Sequence, residues 1–154
     1  MTKQQYASEA EALAPSLRRI AMSIVHHEYD AQDAVQQALL SVWERRDRVD
    51  ETRLRPYLTR AVINACRDIQ RARMRVVPME EMPESGYTPE DSLLADAVDS
   101  LPENLRLPLL LCYMEGYKQT EIARALGLTL PQVTSRLFRA RRLLRERLGE
   151  EERK

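Results

Sequence analysis

Residues 117–148 read YKQTEIARALGLTLPQVTSRLFRARRLLRERL: a short helical pattern, a glycine turn and a longer helix studded with arginines. In the first segment Ile122, Ala123 and Leu126 gather on one side. In the second, Val133, Leu137, Ala140, Leu144 and Leu148 recur every three or four residues and form one continuous apolar stripe. Gly127 stands where the chain reverses, a position that favours a positive φ. Thr129 with Gln132 three residues on is a capping-box pattern, and Pro131 occupies a first turn where its missing N–H has no intrahelical partner. A short helix, a tight turn and a basic second helix are what enters the major groove of duplex DNA. The same stretch also suits an ordinary helical hairpin with a solvated charged face.

The rest of the chain narrows the choice. Its 154 residues suit one domain or two small ones, and a hydrophobic content of 44% with 5% aromatics and 4 glycines favours helices over sheets. No apolar run approaches the roughly 20 residues that span a bilayer, and the opening MTKQQYASEAEA is polar rather than a signal sequence, which points to a cytoplasmic protein with no membrane insertion. Cys66 and Cys112 are isolated within apolar helical patterns, so both read as buried free thiols.

The net charge of zero conceals segregation. Residues 30–75 carry 10 arginines against 7 acids, and residues 105–154 carry 11 basic against 6 acidic side chains. Between them, residues 76–104 hold 8 acids and no Lys or Arg. Two basic blocks across an acidic bridge suggest two polyanion-facing modules. The neutral total argues against tight autonomous DNA binding, which depends on phosphate neutralisation.

Periodicity predicts a first helix over about 8–28, with Ala12, Leu13, Leu17, Ile20, Ala21 and Ile24 on its apolar face. Asp30 is the expected cap of a second, reaching Val49, with Ala34, Val35, Ala38, Leu39 and Val42 inward. A third follows a polar turn at Asp50–Thr52 and runs to about Ala72, with Leu54, Leu58, Ala61, Val62, Ala65 and Ile69 in helical spacing and Pro56 in its opening turn. VVPMEEMPESGYTPED (76–91) has no period and reads as a linker. SLLADAVDSL and PENLRLPLLLCYMEG supply two more helices, with Pro108 kinking the second or marking its real start.

Three blocks in this order, DAQDAVQQALLSVW (30–43), RPYLTRAVINACRDIQRAR (55–73) and the stretch 101–148, resemble the extracytoplasmic-function (ECF) subfamily of the sigma-70 family of bacterial RNA polymerase sigma factors. The resemblance covers most of the chain. It implies an all-α protein of two small helical domains: sigma region 2 over 1–75, an acidic linker over 76–92, and sigma region 4, containing the helix-turn-helix, over 93–150. It implies a non-enzymatic initiation factor that binds core RNA polymerase and reads the minus-10 and minus-35 elements of promoter DNA, without cofactor or metal.

The resemblance also distributes roles. Asp33, Gln36, Gln37, Leu40 and Trp43 would meet the clamp coiled coil of the largest polymerase subunit, with Trp43 equally readable as core packing. The loop Asp47–Arg53 (Asp47, Arg48, Val49 and Arg53) and the helix residues Tyr57, Arg60, Asn64 and Arg67 would face the melted minus-10 element, with Arg55, Arg71 and Arg73 following the backbone. Tyr57 stands where similar sequences usually have Trp, and reads either as a stacking residue or as core. Gln132, Ser135, Arg136 and Arg139 would read minus-35 bases, while Lys118, Gln119 and Thr120 would touch phosphates. Arg141, Arg142 and Arg145 lie further along, towards phosphate or polymerase. Lys118 departs from the Ser or Thr that usually caps this helix. Further implied partners are the flap of the second-largest subunit and an anti-sigma factor held between or around the two domains.

No catalytic constellation competes. His26 and His27 read as a surface pair, and there is no Gly-rich phosphate loop, Ser/His/Asp set or spaced metal-ligand set. Glu80–Glu81 and Glu90–Asp91 read as solubilising charge, or as a device that keeps the basic modules off free DNA. Two alternatives stay open: a dimeric helix-turn-helix regulator acting without polymerase, and a helical protein-interaction module with no DNA role.

Overall fold

A computed structural model describes residues 1–76 and 92–152, so most of the expected linker, with its acidic clusters, lies outside the described residues. The described chain is built from helices: α1 (Lys3–Val25), α2 (Glu28–Glu44), α3 (Leu54–Val76), α4 (Ser92–Asp99), α5 (Glu103–Leu109), α6 (Gln119–Leu126) and α7 (Leu130–Glu152). Helices α1–α3 form the core of one compact unit, and α4, α5 and α7 that of a second.

In the first unit, α1 begins earlier than its periodicity predicts because Thr2 and Gln5 close a capping box. The Gln5 N–H donates to Thr2 Oγ1 at 3.1 Å, and the Thr2 N–H to Gln5 Oε1 at 2.9 Å. The buried stripe accordingly starts at Tyr6 and Ala10 before reaching Leu17, Ile20, Ala21 and Ile24, while Ala12 is exposed and Leu13 only half-buried. On α2, Ala31, Ala34 and Ala38 face inward with Val42, small side chains that let this helix lie close to its neighbours. Helix α3 contributes Leu54, Leu58, Val62, Ile63 and Cys66, all essentially out of solvent. The other thiol, Cys112, is half-buried rather than buried.

The junction of α1 and α2 corrects two expectations. His26 closes α1 in the left-handed region (φ 54°), and the ring of His27 caps α2, its Nδ1 accepting from the Asp30 N–H at 3.4 Å. The histidines are thus helix caps rather than a solvated pair. Asp30, expected to cap α2, instead lies inside its first turn and is buried, receiving Arg73 Nη2 on both carboxylate oxygens at 2.8 and 2.7 Å. Helix α2 also stops at Glu44, short of Val49. A 3₁₀ turn at Arg46–Arg48 follows, in which the Arg46 guanidinium covers the Trp43 ring at 3.7 Å and donates to the Trp43 carbonyl at 3.0 Å.

In the second unit, Leu101, Leu105, Leu109 and Ala140 form a core closed by Val98, Leu143 and Leu144. Arg106, buried, donates Nη1 to the carbonyls of Leu101 (3.1 Å) and Asp99 (3.4 Å) at the end of α4. The kink expected at Pro108 is a change of winding. Leu110–Met114 follows α5 as a π-helical turn, with the Glu115 N–H reaching the Leu110 carbonyl at 3.1 Å.

The helix-turn-helix has the predicted hinge. Gly127 adopts φ +68°, and the Leu128 N–H returns to the Ala123 carbonyl at 2.8 Å, closing α6. The missing Ser or Thr cap on α6 is offset from the other side of the box: Glu121 Oε1 accepts from the Lys118 N–H at 3.0 Å.

Candidate nucleic-acid interface

On α3 the inward residues fix what faces out. With Leu54, Leu58, Val62 and Cys66 buried, Tyr57, Arg60, Asn64 and Arg67 fall on one exposed side, and Arg53 precedes them on the adjoining turn. Tyr57 is 38% exposed, which places it outward rather than in the core. Asp47 and Arg48 are exposed and Val49 is half-buried. Asp50 rigidifies this loop by capping a second 3₁₀ turn, Glu51–Arg53, with Oδ1 accepting from the Thr52 N–H at 3.1 Å. Thr52's hydrogen bonding, helped by the charge of Arg53, holds the Asp50 carboxyl below the usual carboxylate range. Two arginines of this helix are committed elsewhere: Arg71 pairs with Asp68 at 3.4 Å, and Arg73 belongs to Asp30.

On α7, Val133, Leu137 and Ala140 are buried, which turns Ser135, Phe138, Arg139, Arg142 and Arg145 outward, with half-buried Arg136 at the flank. Lys118, Gln119 and Thr120 at the start of α6 are exposed. Two of the glutamines already use their carbonyl oxygens. Gln132 Oε1 accepts from the Thr129 N–H at 2.9 Å, and Gln119 Oε1 accepts from Thr134 Oγ1 at 2.9 Å, tying α6 to α7. A Gln132 amide in this position presents its free NH₂ group to bases, with one lone pair of Oε1 already engaged. Arg141 turns towards the π-helical turn, its Nη1 donating to Tyr113 Oη at 2.7 Å, and Arg142 faces Glu146 at 3.6 Å. Phe138, the single phenylalanine, is 61% exposed among the arginines, and the apolar-stripe reading did not single it out. Its position midway between inward Leu137 and outward Arg139 was the available signal.

Helix α2 presents a different chemistry. Asp33, Gln36, Gln37 and Leu40 are exposed together, Leu40 at 66%, and the whole helix carries no Lys or Arg. Gln37 Nε2 donates to Asp33 Oδ2 at 3.0 Å. Trp43 is half-buried at the end of this face, its ring 5.2 Å from that of Tyr6. The second unit carries an apolar groove of about 780 Å³ lined by Leu94, Val98, Leu109, Leu110, Met114 and Leu144, with Arg141 and Arg145 at its edge. Among the described residues no group of three or more His, Cys, Asp and Glu could hold a metal ion, and no helix is long and apolar enough to cross a membrane.

Comparison with known proteins matches residues 10–76 to the family Sigma-70 region 2 and residues 92–144 to Sigma-70, region 4. The chain is 35% identical over 141 residues to an RNA polymerase sigma-E factor of Streptomyces coelicolor, covering 86% of this chain and 80% of that protein. It is 32% identical to the ECF RNA polymerase sigma factor SigE of Mycolicibacterium smegmatis, covering 88% of this chain and 58% of that one. Among solved structures, CnrH in complex with the cytosolic domain of CnrY superposes with a TM-score of 0.74 at 26% identity, over 97% of this chain and 90% of that chain. Two family regions in order, on a two-unit helical fold with a basic helix-turn-helix, make this chain a member of the sigma-70 family, an ECF-type RNA polymerase sigma factor.

Proposed function

We propose that residues 1–75 bind polymerase and read the minus-10 element, that residues 93–150 read the minus-35 element, and that 76–92 connect them. Asp33, Gln36, Gln37, Leu40 and the edge of Trp43 contact the clamp coiled coil of the largest subunit. The observation that carries this division is chemical: the exposed face of α2 has no cation, whereas those of α3 and α7 are lined with arginine. A face without cations has nothing to neutralise phosphate and suits protein, while the arginine faces suit nucleic acid.

Asp47, Arg48, Val49, Arg53, Tyr57, Arg60, Asn64 and Arg67 line the path of the melted strand, Tyr57 offering a ring to an unstacked base. In the major groove Ser135, Phe138 and Arg139 take the central positions, with Arg136 and the Gln132 amide at the side and Lys118, Gln119 and Thr120 on phosphates. An exposed phenyl ring on such a helix matches a thymine methyl. The apolar groove of the second unit takes the flap of the second-largest subunit. An anti-sigma factor holds the protein inactive in the cytoplasm, a reading supported by the similar CnrH, whose structure is a complex with CnrY.

In run-off transcription with core polymerase over a promoter library, the protein is expected to enrich a two-element consensus. Phe138→Ala should lower output about 5- to 30-fold, the equivalent of ~1–2 kcal/mol for a ring partly buried against DNA. It should leave core binding and thermal stability unchanged. Loss of core binding by this variant would remove the assignment of α7 to DNA.

A further inference from the structure

Tyr29 is 74% exposed, more than Leu40. It lies in the first turn of α2, and Tyr29, Asp33, Gln36 and Leu40 follow one another at helical spacing on the outermost line of the helix, opposite Ala31, Ala34, Ala38 and Val42. The polymerase-docking stripe therefore extends one turn N-terminal of Asp33. From Tyr29 to Leu40 it runs roughly 16 Å at 1.5 Å per residue, with an aromatic at one end and an aliphatic side chain at the other.

The site is also pre-organised. The next residue, Asp30, is buried and clamped by Arg73 of α3 through both carboxylate oxygens, and its N–H donates to the His27 cap. Gln70 of α3 donates to the Ile24 carbonyl at 3.0 Å, fixing the end of α1 just before the junction. The backbone that carries Tyr29 is thus tied down on both sides, and a tyrosine loses only two side-chain torsions on binding. Nucleic acid does not fit here, because the only charges of α2 are Glu28, Asp30, Asp33 and Glu44.

We infer that Tyr29 is an anchor residue of the polymerase-docking face, buried against core polymerase in the complex. The inference rests on the docking reading of α2 and extends it. The test measures the affinity of the full-length protein for core polymerase by fluorescence anisotropy, for the unmodified chain and for Tyr29→Ala, Tyr29→Phe and Leu40→Ala. Tyr29→Ala should weaken binding by about tenfold or more, as an aromatic anchor does. Tyr29→Phe should stay within about threefold of the parent, since packing of the ring carries the contact. The thermal midpoint of both should match the parent. Full affinity of Tyr29→Ala alongside weakened Leu40→Ala overturns the anchor and leaves the docking face standing. Full affinity of both overturns the face itself. A Tyr29→Ala variant that loses affinity only in proportion to lost stability, with Tyr29→Phe doing the same, also overturns the anchor.

Discussion

Tyr6 shows how a single side chain can tie helix packing to pH. Its ring is buried against Trp43, and its hydroxyl donates to the Leu39 carbonyl of α2 at 2.5 Å. Burial pushes the phenol up to about 12 from an ordinary value of 10.0, because the phenolate would be stranded away from water. A raised folded-state value favours the protonated form, so this contribution is fully present below pH 10 and is lost as the pH rises towards 12. The slope is about 1.4 kcal/mol per pH unit at most. Tyr6→Phe should cost about 1 kcal/mol at neutral pH through the lost hydrogen bond. It should also flatten the decline of stability between pH 10 and 12 relative to the parent, whose remaining tyrosines and lysines titrate equally in both. Urea unfolding at a series of alkaline pH values measures the difference. Parallel decline in the two proteins would show that Tyr6 does not couple folding to pH.

Among the elements, α2 and α3 are joined by a contact that helical periodicity cannot announce. The Asp30 carboxylate and the Arg73 guanidinium lie 43 residues apart in sequence. A local reading makes Asp30 a helix cap and Arg73 a DNA contact, and only the packing of the two helices shows that they satisfy one another. The side chain of Asp30 is 10% exposed and that of Arg73 is 46% exposed, so the pair is partly screened and its removal should fall below the cost of breaking a fully buried one. Arg73→Met is expected to lower stability by about 1–3 kcal/mol, and Asp30→Asn by a similar amount. The double variant should cost less than the sum, because neither partner is left stranded. Additive losses in denaturant titrations would mean that the pair does not act as a unit.

The same contrast explains what was legible in the sequence. The inward faces of α3 and α7 could be read because apolar residues recur with the period of the helix, and their outward faces followed. The cap at His27, the π-helical turn after Pro108 and the stop of α2 at Glu44 could not be read so. The first and last depend on a side chain choosing between local partners, imidazole over carboxylate at a helix start and Arg46 folding back over Trp43, while the π-helical turn is a change of backbone winding that apolar spacing does not register. The candidate site divides likewise. Exposure follows from periodicity and the engagement of the Gln132 carbonyl from the capping-box spacing, but the engagement of the Gln119 carbonyl by Thr134 is visible only with α6 and α7 placed together.

At the scale of the whole molecule the decisive quantity is the distribution of charge. The chain has no net charge, yet residues 105–154 hold 11 basic side chains against 6 acidic and residues 76–104 hold only acids. Some of the C-terminal arginines are already occupied, Arg141 by Tyr113 and Arg142 by Glu146. In a chain with no net charge the outward arginines are balanced by acids elsewhere, which weakens the net attraction for duplex DNA, and each phosphate neutralised contributes only about 0.9 to the slope of log affinity against log salt. The full-length protein alone should give no promoter-selective shift near physiological salt, with a shallow salt dependence of whatever binding appears at low salt. Core polymerase should restore selectivity, because it holds the reading helices at the promoter and makes their weak contacts effectively intramolecular. Gel-shift titrations of a two-element promoter duplex and a scrambled duplex, with and without core polymerase, separate the cases. Tight selective binding by the protein alone, with twofold stoichiometry, would instead describe a dimeric operator-binding regulator, and the arginines of α7 would then have to supply the whole affinity that polymerase otherwise provides.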